Sequence, residues 1–393
     1  IVGFAMPEAA YLNPMVYGTN GPADLASWVF SFILIDGKMR GLFSFLFGAS
    51  TLLVIERAKL GGQSPAAVHY RRMLWLLVFG LLHFYFIWFG DILAGYALCG
   101  LLIFLFRNLS VRALVIWGIV FVAIQVLLMA GGAGRALYLA QAAAAPGADA
   151  ALVEDWRGMQ EGFAPLAAGA MAKKLAMFHG PWSGLVADRL GERWAEPFAS
   201  LFFFGWETIG YMLFGMAALK SGFLRGEWPL ARYRKWAFAC LGVALPVYLL
   251  AAVMLIRTDF ATEMLFLFWL AVPTPVRPLA VLGIAALIIL LTRKGGALVD
   301  RIAAAGRAAF TNYLGTSILM TTFFYGYGLD FFGSLSRIEL WIPVLLAWVL
   351  MLAWSKPWLD RFRYGPFEWL WRSLARWRLE PMRRSGGAAA PAS

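Results

Sequence analysis

Charge is what this sequence most lacks. Only 14% of its 393 residues are Asp, Glu, Lys or Arg, while 61% are hydrophobic, which excludes an ordinary soluble domain. Cysteine and histidine are scarcer still. Cys99 and Cys240 both fall inside apolar runs, so no disulfide framework or Cys-based metal site is indicated. His69, His83 and His179 share no helix face at zinc-ligand spacing, and no metal is expected. No phosphate-cradling glycine loop before a helix and no Ser-His-Asp constellation is visible. No secretory signal is recognisable either, and Ile1 to Ala5 reads as the tail of a helix.

What is present is a series of apolar runs, near 41–56, 73–89, 92–106, 113–131, 199–219, 236–256, 277–292, 308–326 and 338–355. With the run ending near Ala5 they predict an all-α, polytopic membrane bundle of about ten spans, the first one truncated. The net charge of +12 does not point to nucleic acid, because the basic residues sit in short loops between apolar runs, where they set orientation. The segments 57–72, 107–112, 220–235, 293–307 and 356–384 hold 23 of the 34 Lys and Arg residues. The positive-inside rule puts them, and the C-terminus, on the cytoplasmic side of a bacterial inner membrane.

That assignment holds only if the apolar stretch 23–35 does not cross. It is expected as an interfacial or re-entrant helix on the outer side, opened by Pro22 or Asp24 and closed by Asp36-Gly37-Lys38. The chain is then one transmembrane domain over 1–380, with 132–198 as an extracytoplasmic loop carrying helical stretches at Met171–Phe178 and Gly184–Trp194. After Gly365-Pro366, the residues Phe367, Leu370, Trp371, Leu374 and Trp377 recur at helical spacing opposite Glu368, Arg372, Arg376 and Arg378, a basic amphipathic helix for the inner leaflet. Residues 381–393 read as a disordered tail.

Ionisable side chains within spans are costly and so mark candidate sites. His83 lies 11 residues past Arg72, roughly 16 Å in from the cytoplasmic edge. Glu207 lies 8 residues past Ala199, roughly 12 Å in from the outer edge. The similar depth allows a pair if their helices neighbour. His83 reads either as a neutral ring bonded to a facing carbonyl or hydroxyl, or as a catalytic or proton-relay group. Asp91, at an outer turn, either caps the 92–106 helix or lines an outer cavity. Arg71, Arg72, Arg301 and Arg307 flank span starts, where they set topology or converge on an anion such as coenzyme phosphates. Asn312 and Tyr313 lie one turn inside the span starting near Ala308, where an Asn bonds across helices.

Five ordered strings, PEAAYLNPMVYG, LFSFLFGAS, GLLHFYFIWFGDILAGYALCG, GRAAFTNYL and RYGPFEWLWR, resemble the YeiB family of bacterial inner-membrane proteins from one end of the chain to the other. The first-span motif of that family, Leu-Asp-x-x-Arg-Gly, is absent, as expected if the sequence starts within the first helix. The family has been guessed to be a transporter, and its architecture is similar to transmembrane acyltransferases such as heparan-alpha-glucosaminide N-acetyltransferase, which pass an acyl group from cytoplasmic coenzyme A to an acceptor across the membrane. In those enzymes a luminal His after the first span is catalytic; Tyr11 to Pro22 contains none, so that role is not carried over.

The resemblance implies acyl transfer from a cytoplasmic acyl-CoA, acetyl-CoA among the choices. Arg71, Arg72, Arg307 and Asn312 are then the candidate cofactor-binding residues, and His83, Glu207 and Asp91 the candidate catalytic ones. The alternative is a transporter, or a membrane protein that binds a small molecule or lipid without turnover. Candidate partners are membrane lipids, an anionic small molecule at the cytoplasmic face and a second copy of the chain.

Overall fold

A computed structural model describes residues 2–164 and 168–384. The first part of the chain forms α1 (Val2–Ala5), α2 (Ala9–Leu12), α3 (Pro22–Leu34), α4 (Lys38–Leu60), α5 (Pro65–Phe86), α6 (Leu93–Ile103, ending in a tighter turn over Phe104–Phe106) and α7 (Val111–Ala143). Then come α8 (Ala150–Gln160), α9 (Ala168–His179), α10 (Trp182–Gly191), α11 (Glu196–Lys220) and α12 (Leu230–Arg257). The rest forms α13 (Thr262–Met264, widening into a π-helical turn over Leu265–Ala271), α14 (Arg277–Thr292), α15 (Ala297–Arg307), α16 (Ala309–Phe324), α17 (Trp341–Arg361) and α18 (Pro366–Arg376). No strand is present among the described residues. The protein is an all-α helical bundle.

Among the described residues, five stretches are long and apolar enough to cross a membrane: Pro22–Leu60, taken across α3 and α4, and α7, α11, α12 and α17. α14 and the helices around α6 and the π turn are shorter and apolar. Large apolar side chains cover outward faces, as with Ile116, Ile119 and Leu127 of α7 and Ile342, Leu346 and Val349 of α17. In water such a surface is unfavourable; against lipid it costs nothing. This is a membrane protein.

The most buried long helix is α11, which packs chiefly against α7 and α4. Glycine makes the approach to α4 possible. A Cβ at Gly48 would stand 2.0 Å from the Met212 carbonyl oxygen, and one at Gly215 would stand 1.7 Å from that of Phe45. The two backbones touch directly, as small residues allow in membrane helices.

The stretch 23–35 is a separate helix of 13 residues, about 20 Å long and too short to span alone. Gly37, at φ 71°, turns the chain between α3 and α4 in a conformation that costs glycine little. Asp24 anchors the start of α3, its two oxygens accepting the N–H groups of Ile338 and Asn20 at 2.8 and 2.9 Å.

The expected loop 132–198 is largely helical. α7 continues to Ala143, and α8, α9 and α10 follow, α9 over the expected Met171–Phe178 and α10 over Gly184–Trp194 as far as Gly191. At its end Arg193 binds Glu8 at 2.6 Å. Burial would lower the Arg193 pKa, but its bonds to Glu196 and Glu8 raise it above its ordinary value.

The amphipathic C-terminal helix forms as α18 and docks on α5 and α16. Glu368 accepts the Phe310 and Thr311 N–H groups at 2.7 and 3.0 Å, placing a negative charge at the positive end of α16. One boundary moves. Residues 381–384 were expected to open the tail, but Arg363 and Arg384 donate backbone N–H groups to the Met382 and Arg361 carbonyls at 2.9 and 3.2 Å. This pairing holds the chain past 381. The remainder of the expected tail, 385–393, lies outside the described residues.

Candidate functional site

Glu207 sits midway along α11 with 1% exposure. Its carboxylate is held from three sides. Arg277, the first residue of α14, reaches both oxygens through Nη1 at 2.8 and 2.9 Å. Arg40, near the start of α4, donates to Oε2 at 2.7 Å. Tyr211, one turn along α11, donates to Oε1 at 2.6 Å. The clamps are themselves fixed: Arg277 Nε donates to the Tyr248 hydroxyl at 3.1 Å and Arg40 Nη1 to Thr208 Oγ1 at 3.2 Å. Beside them Lys38 lies 3.4 Å over the Tyr248 ring. A buried carboxylate needs such pairing to be tolerated. Two guanidiniums on one carboxylate leave this group with a surplus positive charge.

A second cluster forms where α5 meets α6. His83 Nδ1 lies 2.9 Å from Asp91 Oδ1, and both side chains are buried. The Tyr313 hydroxyl donates to the same oxygen at 3.4 Å. Asp91 Oδ2 accepts the Ala94 N–H at 2.8 Å, satisfying a first-turn donor of α6. Both readings of Asp91 therefore describe one side chain: it caps α6 and it lines a cavity. His83 Nε2 is buried without a hydrogen-bond partner among the described residues. With Nδ1–H given to a carboxylate, Nε2 is the nitrogen left with the lone pair.

Asp91 and Glu207 face one chamber of about 410 Å³, whose walls include Arg40, Tyr96, Gln125 and Arg277. Next to it lies an apolar chamber of about 900 Å³, walled by Trp88, Phe89, Phe203 and Phe266. The two share Tyr11, Gly90, Met129, Phe204, Trp269 and Leu270. Trp269 and Leu270 come from the π turn, a local widening that re-aims side chains and recurs at functional sites. A chamber carrying charged side chains beside a more apolar one suits an amphipathic guest.

The expected partners are redistributed. Glu207 is bound by Arg40 and Arg277, while His83 is bound by Asp91, so the two residues placed at similar depth are held by different partners. Depth along a helix axis carries no information about the direction a side chain faces. Asn312, a candidate coenzyme ligand, spends its amide between helices: Nδ2 donates to Ala305 O and Ser355 Oγ at 3.0 and 3.3 Å, and Oδ1 accepts the Trp354 Nε1–H at 2.9 Å.

The arginines expected at a common mouth separate in the same way. Arg71 donates to Ala67 O within its own helix at 2.9 Å, Arg301 to Leu352 O at 3.1 Å, and Arg307 is exposed at the end of α15. Arg72 alone lines a small cavity, with Arg57, Arg372 and Arg376. Loop charge sets a side of the membrane and leaves open which loop positions meet.

Arg40 and Arg277 escaped sequence reasoning because each stands at the very edge of an apolar run, outside the span interiors searched for ionisable groups. One signal was available. Arg277 is the only charged residue between Glu263 and Arg293, an isolated cation in an otherwise apolar stretch.

The chain is 32% identical over 385 residues to the uncharacterized protein YeiB of Escherichia coli, covering 95% of this chain and 91% of that one. It belongs to the YeiB family. The uncharacterized protein YxaH of Bacillus subtilis is 29% identical over 370 residues, 92% of this chain and 84% of its own. An uncharacterized 39.9 kDa protein of Bacillus acidopullulyticus matches over 81 residues at 38% identity, 21% of this chain and 23% of its own. Residues 218–378 match the family described as a protein of unknown function, DUF418. That segment contains Arg277 but not Arg40, Asp91 or Glu207, so the site of this YeiB-family protein draws on both sides of its boundary. No solved structure matches the chain.

Proposed function

We propose that this protein transfers an acyl group from a cytoplasmic acyl-CoA to an acceptor held in the two joined chambers. The observation that supports this reading is Asp91, which lines the chamber shared with Glu207 and at the same time holds His83 through Nδ1. An imidazole held by a carboxylate in this way is an arrangement for general-base catalysis. The acceptor hydroxyl or amine, held beside Asp91, gives its proton to the Asp91–His83 pair as the acceptor's lone pair attacks the thioester carbonyl carbon. The C–S bond then breaks, the thiolate takes that proton, and free coenzyme A leaves. The surplus positive charge of Arg40 and Arg277 favours the oxyanion formed in between. The apolar chamber takes the apolar body of the acceptor. In this reading the protein lies in the bacterial inner membrane with α18 on the cytoplasmic face, as the distribution of Lys and Arg favours.

A test uses the purified full chain. Acetyl-CoA at 100 times its dissociation constant should add about 2.7 kcal/mol of stability, and label from its acetyl group should pass to a component of a bacterial extract. Absence of both stabilisation and label transfer rejects the proposal.

The second reading is transport. It is favoured by the Arg40–Glu207–Arg277 group midway along α11, since ionisable residues inside membrane helices commonly mark substrate or proton pathways. Solute flux in proteoliposomes without release of free thiol selects this reading over the first.

A further inference from the structure

We infer that α4, α5 and α18 together build a binding site for a single phosphate group, formed by Arg57, Arg72, Arg372 and Arg376. These four side chains line one small cavity with Gln63. This inference does not rest on the acyl-transfer reading.

Aromatic rings hold the central arginines in place. The Arg72 guanidinium lies 4.3 Å over the Trp371 ring, and Arg372 lies 4.5 Å over that of Tyr364. The Trp371 Nε1–H donates to the Arg72 carbonyl at 2.9 Å, tying α18 to α5 at this point. Stacking fixes a guanidinium while leaving its N–H edge free for an acceptor.

Among the described residues, one carboxylate pairs with this group of four. Glu380, the one carboxylate bonded to any of the four among the described residues, is shared between Arg376 and Arg378 at 3.0 and 3.1 Å. Arg57, Arg72 and Arg372 have no ion pair among the described residues. Burial depresses the Arg372 pKa, and the neighbouring Arg376 and Arg57 charges push it the same way against the opposing pull of Tyr364 and Glu380. Such a cluster is at its least stable when empty, and an anion relieves it.

Size and geometry narrow the anion. The cavity holds about 80 Å³, several times what a water needs and well under the roughly 300 Å³ of a small-molecule pocket. It therefore grips the head of a ligand whose remainder lies outside. Guanidiniums converging from three helices surround a tetrahedral, multiply charged group, whereas a planar carboxylate offers one pair of oxygens to one fork. The phosphate belongs either to an anionic lipid headgroup or to a soluble phosphate-bearing molecule.

The test unfolds the full chain thermally in neutral detergent while inorganic phosphate replaces chloride at constant ionic strength. A saturable rise in the midpoint is expected, and it should vanish in the Arg72→Gln/Arg372→Gln double variant. A response no larger than that to chloride, or one that the double variant keeps, overturns the inference. Should the double variant fail to fold, Arg57→Gln at the exposed rim serves instead and should weaken the apparent phosphate affinity several-fold; an unchanged affinity overturns the inference equally. Nanodiscs then separate the sources. If a lipid headgroup fills the site, phosphatidylglycerol raises the midpoint over phosphatidylcholine and removes the response to added phosphate. If a soluble phosphate fills it, the two lipids give equal midpoints and the response persists in both.

Discussion

Arg277 closes on Glu207 with a single guanidinium nitrogen 2.8 and 2.9 Å from the two carboxylate oxygens, and in doing so pins the start of α14 to the middle of α11. Removing either partner leaves the other charged and buried. Glu207→Gln should therefore destabilise the protein by about 3–5 kcal/mol, because Arg40 and Arg277 then face each other without a carboxylate between them. Pairing it with Arg277→Met should recover part of that loss. The measurement is a double-mutant cycle on thermal unfolding in detergent, and additive losses would mean that the ion pair does not hold α14 to α11.

Asp91 joins two jobs that one substitution separates. Asp91→Asn keeps an oxygen for the Ala94 N–H, and Asn and Asp cap helices about equally well. It removes the negative charge that selects the His83 tautomer. Stability should change by less than about 1 kcal/mol, while acyl transfer measured as thiol release falls by orders of magnitude. An equal fall in folded yield and rate would make Asp91 a cap and nothing more.

The helices were legible in the sequence because lipid imposes long apolar runs. α14 covers the run 277–292 without change, and α18 follows the Phe367, Leu370, Trp371, Leu374 periodicity. Two features were not legible. The π turn over Leu265–Ala271 is an apolar string too short for a span, and nothing in its composition distinguishes a widened turn from an ordinary helix. The pairing of Glu207 with Arg277 joins residues 70 apart, and hydropathy reports depth but not which faces meet. The site was thus half visible: its carboxylates stood out against the apolar background, while the cations that bind Glu207 stand at the very edge of the apolar runs and drew no attention.

Gly48 makes a prediction about packing. Gly48→Ala puts a methyl group 2.0 Å from the Met212 carbonyl oxygen, whereas at Gly131 in the second half of α7 a methyl meets nothing within 4 Å. Since backbone faces the new atom, the helices must separate, and Gly48→Ala should cost about 1–3 kcal/mol. Gly131→Ala should be neutral or slightly stabilising. Equal midpoints for the two variants in thermal unfolding would show that α4 and α11 are not in direct backbone contact.

Orientation is tested by labelling. Leu60 stands exposed at the end of α4, and Ala145 is exposed beyond α7. With the basic segments inside, a membrane-impermeant maleimide should reach Ala145→Cys in intact cells and Leu60→Cys only after the membrane is opened. The reverse pattern would turn the bundle over and place α18, with its arginine cavity, on the outer face.

His83 and Glu207 should act separately in stability. Each is already held by other partners: Glu207 by Arg40, Arg277 and Tyr211, and His83 by Asp91. Removing His83 leaves Asp91 to its remaining donors, Tyr313 and the Ala94 N–H, and changes nothing that touches Glu207. Converting Glu207 to Gln disturbs Arg40 and Arg277 but leaves the His83–Asp91 contact in place. His83→Ala and Glu207→Gln should thus be additive in thermal stability within roughly 0.5 kcal/mol. Activity can behave otherwise, since both clusters border the chamber through Asp91 and Glu207 and a bound substrate would touch both. Coupling in turnover with additivity in stability is the pattern expected of a site assembled by its substrate. Coupling in stability alone would instead mean that the two clusters form one folded network without a guest.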